Sequence, residues 1–107
     1  MSIEELISKI AERPEMYFGE ATLSRFEAFL LGWMFNSDDP DTANTMKGFQ
    51  EWIQKKYRVR STHSWANIVR FYSNNDVTAL QDAIALFKEY IEKRRSNKSN
   101  TILPENH

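Results

Sequence analysis

The sequence contains no cysteine. This absence excludes disulfide bonds, a thiolate nucleophile, zinc sites that use cysteine ligands, and iron–sulfur clusters. Glycine and proline are also scarce, with three of each in 107 residues, so we do not expect a loop-rich or low-complexity chain. Because the glycines are not clustered, there is no basis for a glycine-rich loop that binds phosphate.

Long apolar runs are missing as well. No segment approaches the roughly 20 apolar residues that a membrane-spanning helix needs. The segment 1–13 alternates charged and apolar residues and has neither the basic nor the continuous apolar region of a signal peptide. We therefore expect a cytoplasmic protein with no membrane contact. The formal net charge of −1 does not by itself indicate a nucleic-acid partner.

What the chain does contain is enough apolar material for one core. Its length is typical of one domain, and 41% of its residues are hydrophobic and 13% aromatic. Apolar residues recur at the spacing of amphipathic helices in five segments, near 2–13, 22–35, 43–57, 64–72 and 76–95. We predict an all-α fold, a single compact domain of about five helices over 1–95 with a C-terminal tail at 96–107. The predicted core consists of Phe26, Trp33, Phe49, Ile53, Trp65, Phe87 and Ile91.

Local signals predict where these helices begin and end. Ser2 and Glu5 have the spacing of a capping box, and Ser64 and Asp76 are the predicted caps of the fourth and fifth helices. Pro14 is predicted to end the first helix. The segment 15–19 is interpreted as a turn that ends in a glycine free to take positive φ.

Two further features concern packing and the chain end. Gly48 lies inside the third helix, where glycine costs about 1 kcal/mol relative to alanine, which predicts close packing against a neighbour or a bent helix. The tail has no periodicity, and its two apolar residues, Ile102 and Leu103, are predicted to dock on the body or on a neighbouring molecule.

Candidates for catalysis and metal binding are few. His107 is the last residue, and His63 lies in a basic stretch far along the chain from the nearest carboxylates, Glu51 and Asp76. The acidic residues near position 40 lack the spacing and the glycine of a calcium-binding loop. We assign no catalytic, cofactor-binding or metal-binding residue, and we expect a protein that is not an enzyme.

A short motif resembles a nucleotide-binding segment. The residues Arg13-Pro14-Glu15-Met16-Tyr17-Phe18-Gly19 are similar to a segment of DNA gyrase B subunits and their ATPase relatives, with a glutamate in place of the first glycine. That ATPase fold needs a chain about twice as long, with glycine-rich lid segments. The preferred interpretation is a helix stop followed by aromatic residues that pack back on the core.

A longer pattern covers about 80 residues. It runs through Arg13-Pro14-x-Met16-Tyr17-x-Gly19, Phe29-x-x-Gly32-Trp33, Gly48-Phe49-x-x-Trp52-Ile53, Ser64-Trp65-Ala66-x-Ile68-Val69 and Phe87. This order resembles a family of small uncharacterised bacterial helical proteins, which is similar to the immunity proteins of polymorphic toxins and contact-dependent inhibition systems. The resemblance implies a protein that binds and neutralises one cognate antibacterial toxin.

The partner-binding surface is predicted to be acidic. Nuclease toxins handle phosphate and tend to be basic at their sites, so an acidic face would cover such a site and speed association. The candidate residues are Asp38, Asp39 and Asp41, in a loop that Pro40 stiffens, together with Glu15 and Glu20. Reversing the three aspartates is expected to weaken partner binding while leaving helicity and melting nearly unchanged.

An alternative function uses the opposite charge. The segment 54–75 carries five basic residues and no acidic one, interleaved with aromatic residues in the manner of a groove that binds single-stranded nucleic acid. The candidate contacts are Lys55, Lys56, Arg58 and Arg60. Against this alternative, the aromatic residues fall at core spacing and the flanking segments are acidic. A homodimer also remains open.

Overall fold

The computed structural model describes the backbone of residues 1–60 and 63–102, and the side chains of residues 1–60 and 63–97. Six α-helices follow one another along this part of the chain, and it contains no strand. The prediction of an all-α, single compact domain is confirmed. The helices are α1 (Ile3–Glu12), α2 (Pro14–Phe18), α3 (Leu23–Phe35), α4 (Asp41–Lys56), α5 (Trp65–Phe71) and α6 (Asp76–Ile102).

Three of the predicted helix starts are confirmed by their hydrogen bonds. In the capping box of α1, the Glu5 amide donates to Ser2 Oγ at 3.1 Å and the Ser2 amide donates to Glu5 Oε1 at 3.0 Å. These hydrogen bonds from Ser2 lower the pKa of the Glu5 carboxyl. Thr22 and Ser64 accept amide hydrogen bonds at the starts of α3 and α5. Each cap satisfies one of the amide groups that have no partner within the helix.

Other boundaries differ from the prediction. Pro14 ends α1 as expected, but it also begins α2, because proline suits the first position of a helix. The segment interpreted as a turn is therefore a short helix, and Gly19 with φ 80° follows it. The side chain that caps α6 belongs to Asn75 rather than Asp76, since the Thr78 amide donates to Asn75 Oδ1 at 2.8 Å.

The C-terminal helix is longer than predicted. It continues through the first residues of the predicted tail and ends at Ile102, and at about 1.5 Å per residue its 27 residues span about 40 Å. The remainder of the tail, including Leu103, lies outside the described residues. The predicted docking of the Ile102 and Leu103 side chains also falls outside the described part of the chain.

The core is centred on two stacked phenylalanine rings. Phe49 of α4 and Phe87 of α6 lie with their ring centroids 3.7 Å apart at an interplanar angle of 15°. The edges of Phe26 and Trp65 meet the Phe87 ring at 6.1 and 5.5 Å. Three of these four side chains are fully buried, and Trp65 is nearly so. Complete burial of a phenylalanine contributes about 1.5–3 kcal/mol relative to exposure, so this cluster holds α3, α4, α5 and α6 together.

Not every predicted core residue reaches the centre. Phe26, Phe49, Ile53, Trp65, Phe87 and Ile91 are buried as predicted, whereas Trp33 is only partly buried against the margin of the core. Trp33 lies in the last turn of α3. Val77, which continues the α6 stripe in the sequence, is half exposed.

Gly48 packs closely, as its position in the sequence predicts. A Cβ atom at this position would overlap the hydroxyl oxygen of Tyr90, a buried residue of α6. A Cβ atom at Gly32, in α3, would meet no other atom within 4 Å. Gly48 therefore allows α4 and α6 to approach, whereas Gly32 leaves open space on the surface.

These two glycines give a matched pair of substitutions. We expect Gly48→Ala to lower the free energy of unfolding by about 1–3 kcal/mol, because overpacking against Tyr90 exceeds the gain in helix propensity. We expect Gly32→Ala to raise it by about 0.5–1 kcal/mol, because only the propensity changes. Urea denaturation followed by circular dichroism measures both. A stabilised Gly48→Ala variant would contradict the close contact with Tyr90.

Candidate functional site

Neither a metal-ligand cluster nor a buried histidine is found among the described residues. His63 is exposed, and its backbone carbonyl accepts a hydrogen bond from Gln50 Nε2 at 3.0 Å. Gln50 Oε1 in turn accepts from the Trp65 amide at 2.6 Å, so this glutamine fixes the entry to α5. Across residues 1–60 and 63–102, no three His, Asp or Glu side chains lie together as metal ligands.

The carboxylates of the acidic loop differ in role: some support the start of α4, and another is exposed without a hydrogen bond from the described residues. Asp39 Oδ1 accepts from the Asp41 amide at 2.9 Å, and the Asp39 carbonyl accepts from the Thr42 amide at 3.2 Å. Asp39 therefore satisfies amide groups at the start of α4. Asp41 belongs to the first helical turn, where a negative charge is favourable. Asp38 is exposed and accepts no hydrogen bond from the residues whose side chains are described.

The predicted acidic face is spread over the molecule. Glu20 precedes α3 and forms an exposed ion pair with Arg25 at 3.1 Å, whereas Asp38, Asp39 and Asp41 follow the other end of that helix. Thirteen residues of α3 separate these groups by about 20 Å. Glu15 is exposed on α2. The five carboxylates do not form one patch, and their role in partner binding stays a prediction.

The loop geometry also changes one expectation. Reversing all three aspartates would remove the hydrogen bond from the Asp41 amide to Asp39 Oδ1, so melting would not stay nearly unchanged. We expect Asp39→Ala to lower the free energy of unfolding by about 1 kcal/mol, and Asp38→Ala to change it by less than about 0.5 kcal/mol. Thermal melts of the two variants compare them directly. Equal melting temperatures would mean that the carboxylate of Asp39 does not support α4.

In the basic segment, one of the four candidate cations forms an ion pair, and the other three have no carboxylate of the described residues within ion-pair distance. Lys56 Nζ pairs with Glu89 Oε2 at 3.1 Å and lies 5.3 Å from the centre of the Trp52 ring. Lys55, Arg58 and Arg60 are exposed, and no carboxylate of the described residues lies within ion-pair distance of them. Of the four cations in the alternative nucleic-acid site, three therefore project freely.

Arg70 links three helices through one guanidinium group. Its Nη2 donates to Glu27 Oε1 at 2.9 Å, and its Nε donates to Asp76 Oδ1 at 3.3 Å. Asp76 Oδ2 also accepts from the Ser24 amide at 3.0 Å. Burial would raise the pKa of the Asp76 carboxyl, but the hydrogen bonds from Ser24 and Arg70 outweigh it and lower the pKa. Asp76, the expected cap of α6, thus ties α6 to α3 and α5.

This network predicts an acid-dependent part of the stability. Because the pKa of Asp76 is lowered in the folded state, its contribution is complete above its unfolded pKa of about 4 and is lost as the pH falls below that value. We expect Asp76→Asn to lower the free energy of unfolding at pH 7 by about 1.5–3 kcal/mol and to reduce its decline between pH 4 and pH 2. Urea titrations at several pH values measure this. An unchanged acid decline would contradict the assignment.

Arg58 has an unusual backbone at the end of α4. Its φ of 56° is in the left-handed region, and the Arg58 and Val59 amides donate to the carbonyls of Lys55 and Gln54 at 3.2 and 2.9 Å. This is the Schellman pattern, in which glycine is the usual left-handed residue. An arginine at that position costs about 1 kcal/mol, and it sets a charged side chain next to Val59.

An exposed aromatic groove begins at Val59. Phe71 is 80% exposed and Tyr72 is 53% exposed at the end of α5, and their rings meet edge to face at 5.0 Å. Tyr57 stacks on Tyr72 with the ring centroids 4.7 Å apart. The groove has a volume of about 600 Å³ and is lined by Val59, His63, Asn67, Ile68, Arg70, Phe71 and Tyr72.

Tyr72, the last residue of the predicted segment 64–72, does not lie on the buried side of α5. Trp65, Ile68 and Val69 form the buried side of α5, and Tyr72 is the first residue after the helix ends. Two adjacent aromatic residues cannot share one helix face, and this was the signal in the sequence that at least one of Phe71 and Tyr72 would face outward.

Burial and the charge of Asp82 raise the pKa of Tyr57, so its hydroxyl group stays neutral at pH 7.

The groove and the acidic loop lie at opposite ends of α4. The loop precedes Asp41, whereas Tyr57 and Val59 follow Lys56, and sixteen helical residues separate the two sites by about 24 Å. A partner that covers only one of them would leave the other exposed. Variants at the two ends therefore distinguish between the two surfaces.

Comparison with known proteins does not add a function. No family model, no curated protein and no solved structure matches the chain. Within the described residues, no helix combines the length and the hydropathy needed to cross a membrane.

Proposed function

We propose that this protein is a binding module that recognises one partner protein, and that the partner is a toxin which it neutralises. The observation that carries the binding part is the exposed aromatic groove at the end of α5. Phe71 and Tyr72 are large apolar side chains at the surface of a rigid scaffold, and aromatic residues are enriched among those that dominate binding energy. A contiguous exposed apolar surface typically marks an interaction site.

The chemistry of the groove favours a protein over a nucleic acid. Among the described residues that line it, Arg70 is the only arginine or lysine, and its guanidinium group already pairs with Glu27 and Asp76. One face of Tyr72 is stacked on Tyr57. A largely apolar groove with a neutralised cation suits an apolar side chain of a partner protein better than a phosphate backbone.

The proposal that the partner is a toxin rests on the resemblance of the sequence pattern to immunity proteins. An immunity protein acts by covering its target, so it needs a stable scaffold and a complementary surface but no chemistry of its own. The exposed carboxylates of Asp38 and Asp41 suit a basic nuclease surface and would increase the association rate. In this proposal the groove anchors the toxin, and the acidic loop contributes to attraction at the other end of α4.

The test compares variants at the two ends. The probe is the product of the gene directly upstream, with binding measured by calorimetry and function by growth protection. We expect the double variant Phe71→Ser and Tyr72→Ser to weaken binding at least about 30-fold, as for a hot spot worth 2 kcal/mol. The control is Met16→Ser, which removes an exposed apolar side chain elsewhere. Asp38→Asn with Asp41→Asn should mainly slow association.

Two outcomes would overturn the proposal. If the groove variant protects and binds like the parent chain while reversal of Asp38 and Asp41 abolishes both, the contact belongs to the acidic loop. If the purified protein does not bind the adjacent toxin at all, the immunity role is wrong. Circular dichroism of each variant establishes that a loss of binding is not a loss of folding.

A second candidate function is binding of single-stranded nucleic acid. It is favoured by one observation: Lys55, Arg58 and Arg60, which pair with no carboxylate of the described residues, lie close to the groove residue Val59 in the sequence. The neutralised Arg70 and the nearby carboxylates of Glu27 and Asp76 weigh against it. Affinity for a generic oligonucleotide that falls steeply with salt, and that is lost on reversal of the three cations, would support this function instead.

A further inference from the structure

The outer side of α3 carries an apolar stripe that the described part of the chain does not cover. Phe35 is 91% exposed and Leu31 is 56% exposed, and Ala28 and Gly32 beside them are exposed too. We call Ala28, Leu31, Gly32 and Phe35 the α3 outer stripe. Their spacing of three and four residues places all four on one face of the helix, opposite the buried Leu23, Phe26 and Leu30.

The stripe differs from ordinary scattered surface apolar residues. A helix that is apolar on two sides is typical of a buried helix, yet α3 has solvent on its outer side. The two small residues, Ala28 and Gly32, are four positions apart, and a Cβ at Gly32 would meet no atom within 4 Å. The backbone of another helix could therefore approach α3 closely, with Leu31 and Phe35 filling the space beside it.

We propose that the α3 outer stripe is the interface of a homodimer, in which α3 packs antiparallel against α3 of a second copy. A twofold axis between Leu31 and Gly32 makes the stripe complementary to itself. In this register, the large Phe35 of each copy faces the small Ala28 of the other. Leu31 meets Leu31 and Gly32 meets Gly32 across the axis. The small residues therefore let the two helix backbones come close, and the large side chains fill the space between the helices.

Charge selects the antiparallel orientation. Arg25 lies in the first turn of α3, whereas Asp38 and Asp39 follow its C-terminal end. In an antiparallel pair, the end that carries the neutral Glu20–Arg25 ion pair lies beside the aspartates of the other copy, so the two acidic loops stay apart. A parallel pair would place the aspartates of the two copies side by side and would align the helix dipoles unfavourably. The occupant that fits both the sizes and the charges is a second copy of this chain.

The size of the interface sets the expected strength. One helix face buries less than the ~800 Å² per partner of a standard stable interface. The dimer should therefore depend on concentration rather than be permanent. The groove at Phe71 and Tyr72 is on α5 and its end, whereas the stripe is on α3, so groove variants test toxin binding and stripe variants test dimer formation.

The first experiment measures self-association of the full chain by analytical ultracentrifugation. We expect a monomer–dimer equilibrium that Leu31→Lys combined with Phe35→Lys weakens at least about 30-fold. Both side chains are exposed in the monomer, so the variant should keep the parent's helicity and melting at low concentration. The matched control is Phe71→Lys, an equally exposed phenylalanine, which should leave the dimer unchanged and weaken toxin binding.

The second experiment tests the orientation, and the absence of cysteine makes it direct. Leu31→Cys lies next to the twofold axis and should form an intermolecular disulfide on mild oxidation. Ser24→Cys lies about 10 Å from the axis along the helix, so two copies are about 20 Å apart in the antiparallel pair, too far for a disulfide. Equal cross-linking of both variants would indicate a parallel pair and overturn the proposed register.

The remaining outcomes also decide the proposal. A chain that stays monomeric at millimolar concentration contradicts the homodimer, whatever the result for the toxin. If removing residues 103–107 creates self-association that the full chain lacks, the chain's own C-terminus covers the stripe instead. If the toxin dissociates on Leu31→Lys and Phe35→Lys but not on Phe71→Lys, the stripe is the toxin-binding surface and the groove is not.

Discussion

The stack of Phe49 on Phe87 is the contact on which the rest of the architecture depends. It joins the middle of α4 to the middle of the longest helix, and the rings of Phe26 and Trp65 bring α3 and α5 against the same point. Such a close stack requires that the α4 and α6 backbones approach one another. Gly48, which leaves room for the Tyr90 hydroxyl group, permits that approach next to the stack. Packing at this point therefore determines the orientation of four helices.

Charged side chains that look like functional candidates in the sequence are partly used by the fold itself. Arg70 and Asp76 hold α3, α5 and α6 together, and Lys56 joins α4 to α6 through Glu89. Asp39 supports the start of α4. What remains for a partner is a smaller set of charges and the apolar side chains at the surface. These contacts within the fold are the reason that the proposed contact is the aromatic groove rather than charge alone.

The parts of the structure that were predictable are those determined by neighbours in sequence. Helix periodicity, the Ser2 capping box and the Ser64 cap depend on residues within four positions of one another, and all three predictions are confirmed. The replacement of Asp76 by Asn75 as the cap of α6 was not predictable, because it depends on Ser24, 52 positions away. The exposure of Phe71 and Tyr72 likewise depends on where α5 ends and on which helices flank it.

Two exposed apolar surfaces on one small domain call for different explanations. Buried apolar area stabilises the fold, whereas Phe35 and Phe71 in solvent contribute nothing to it and increase the risk of aggregation. The α3 outer stripe is complementary in size to itself, whereas the groove is concave. Self-complementarity suits a second copy, and concavity suits a different protein. The shapes of the two surfaces therefore support one dimer contact and one partner contact on separate helices.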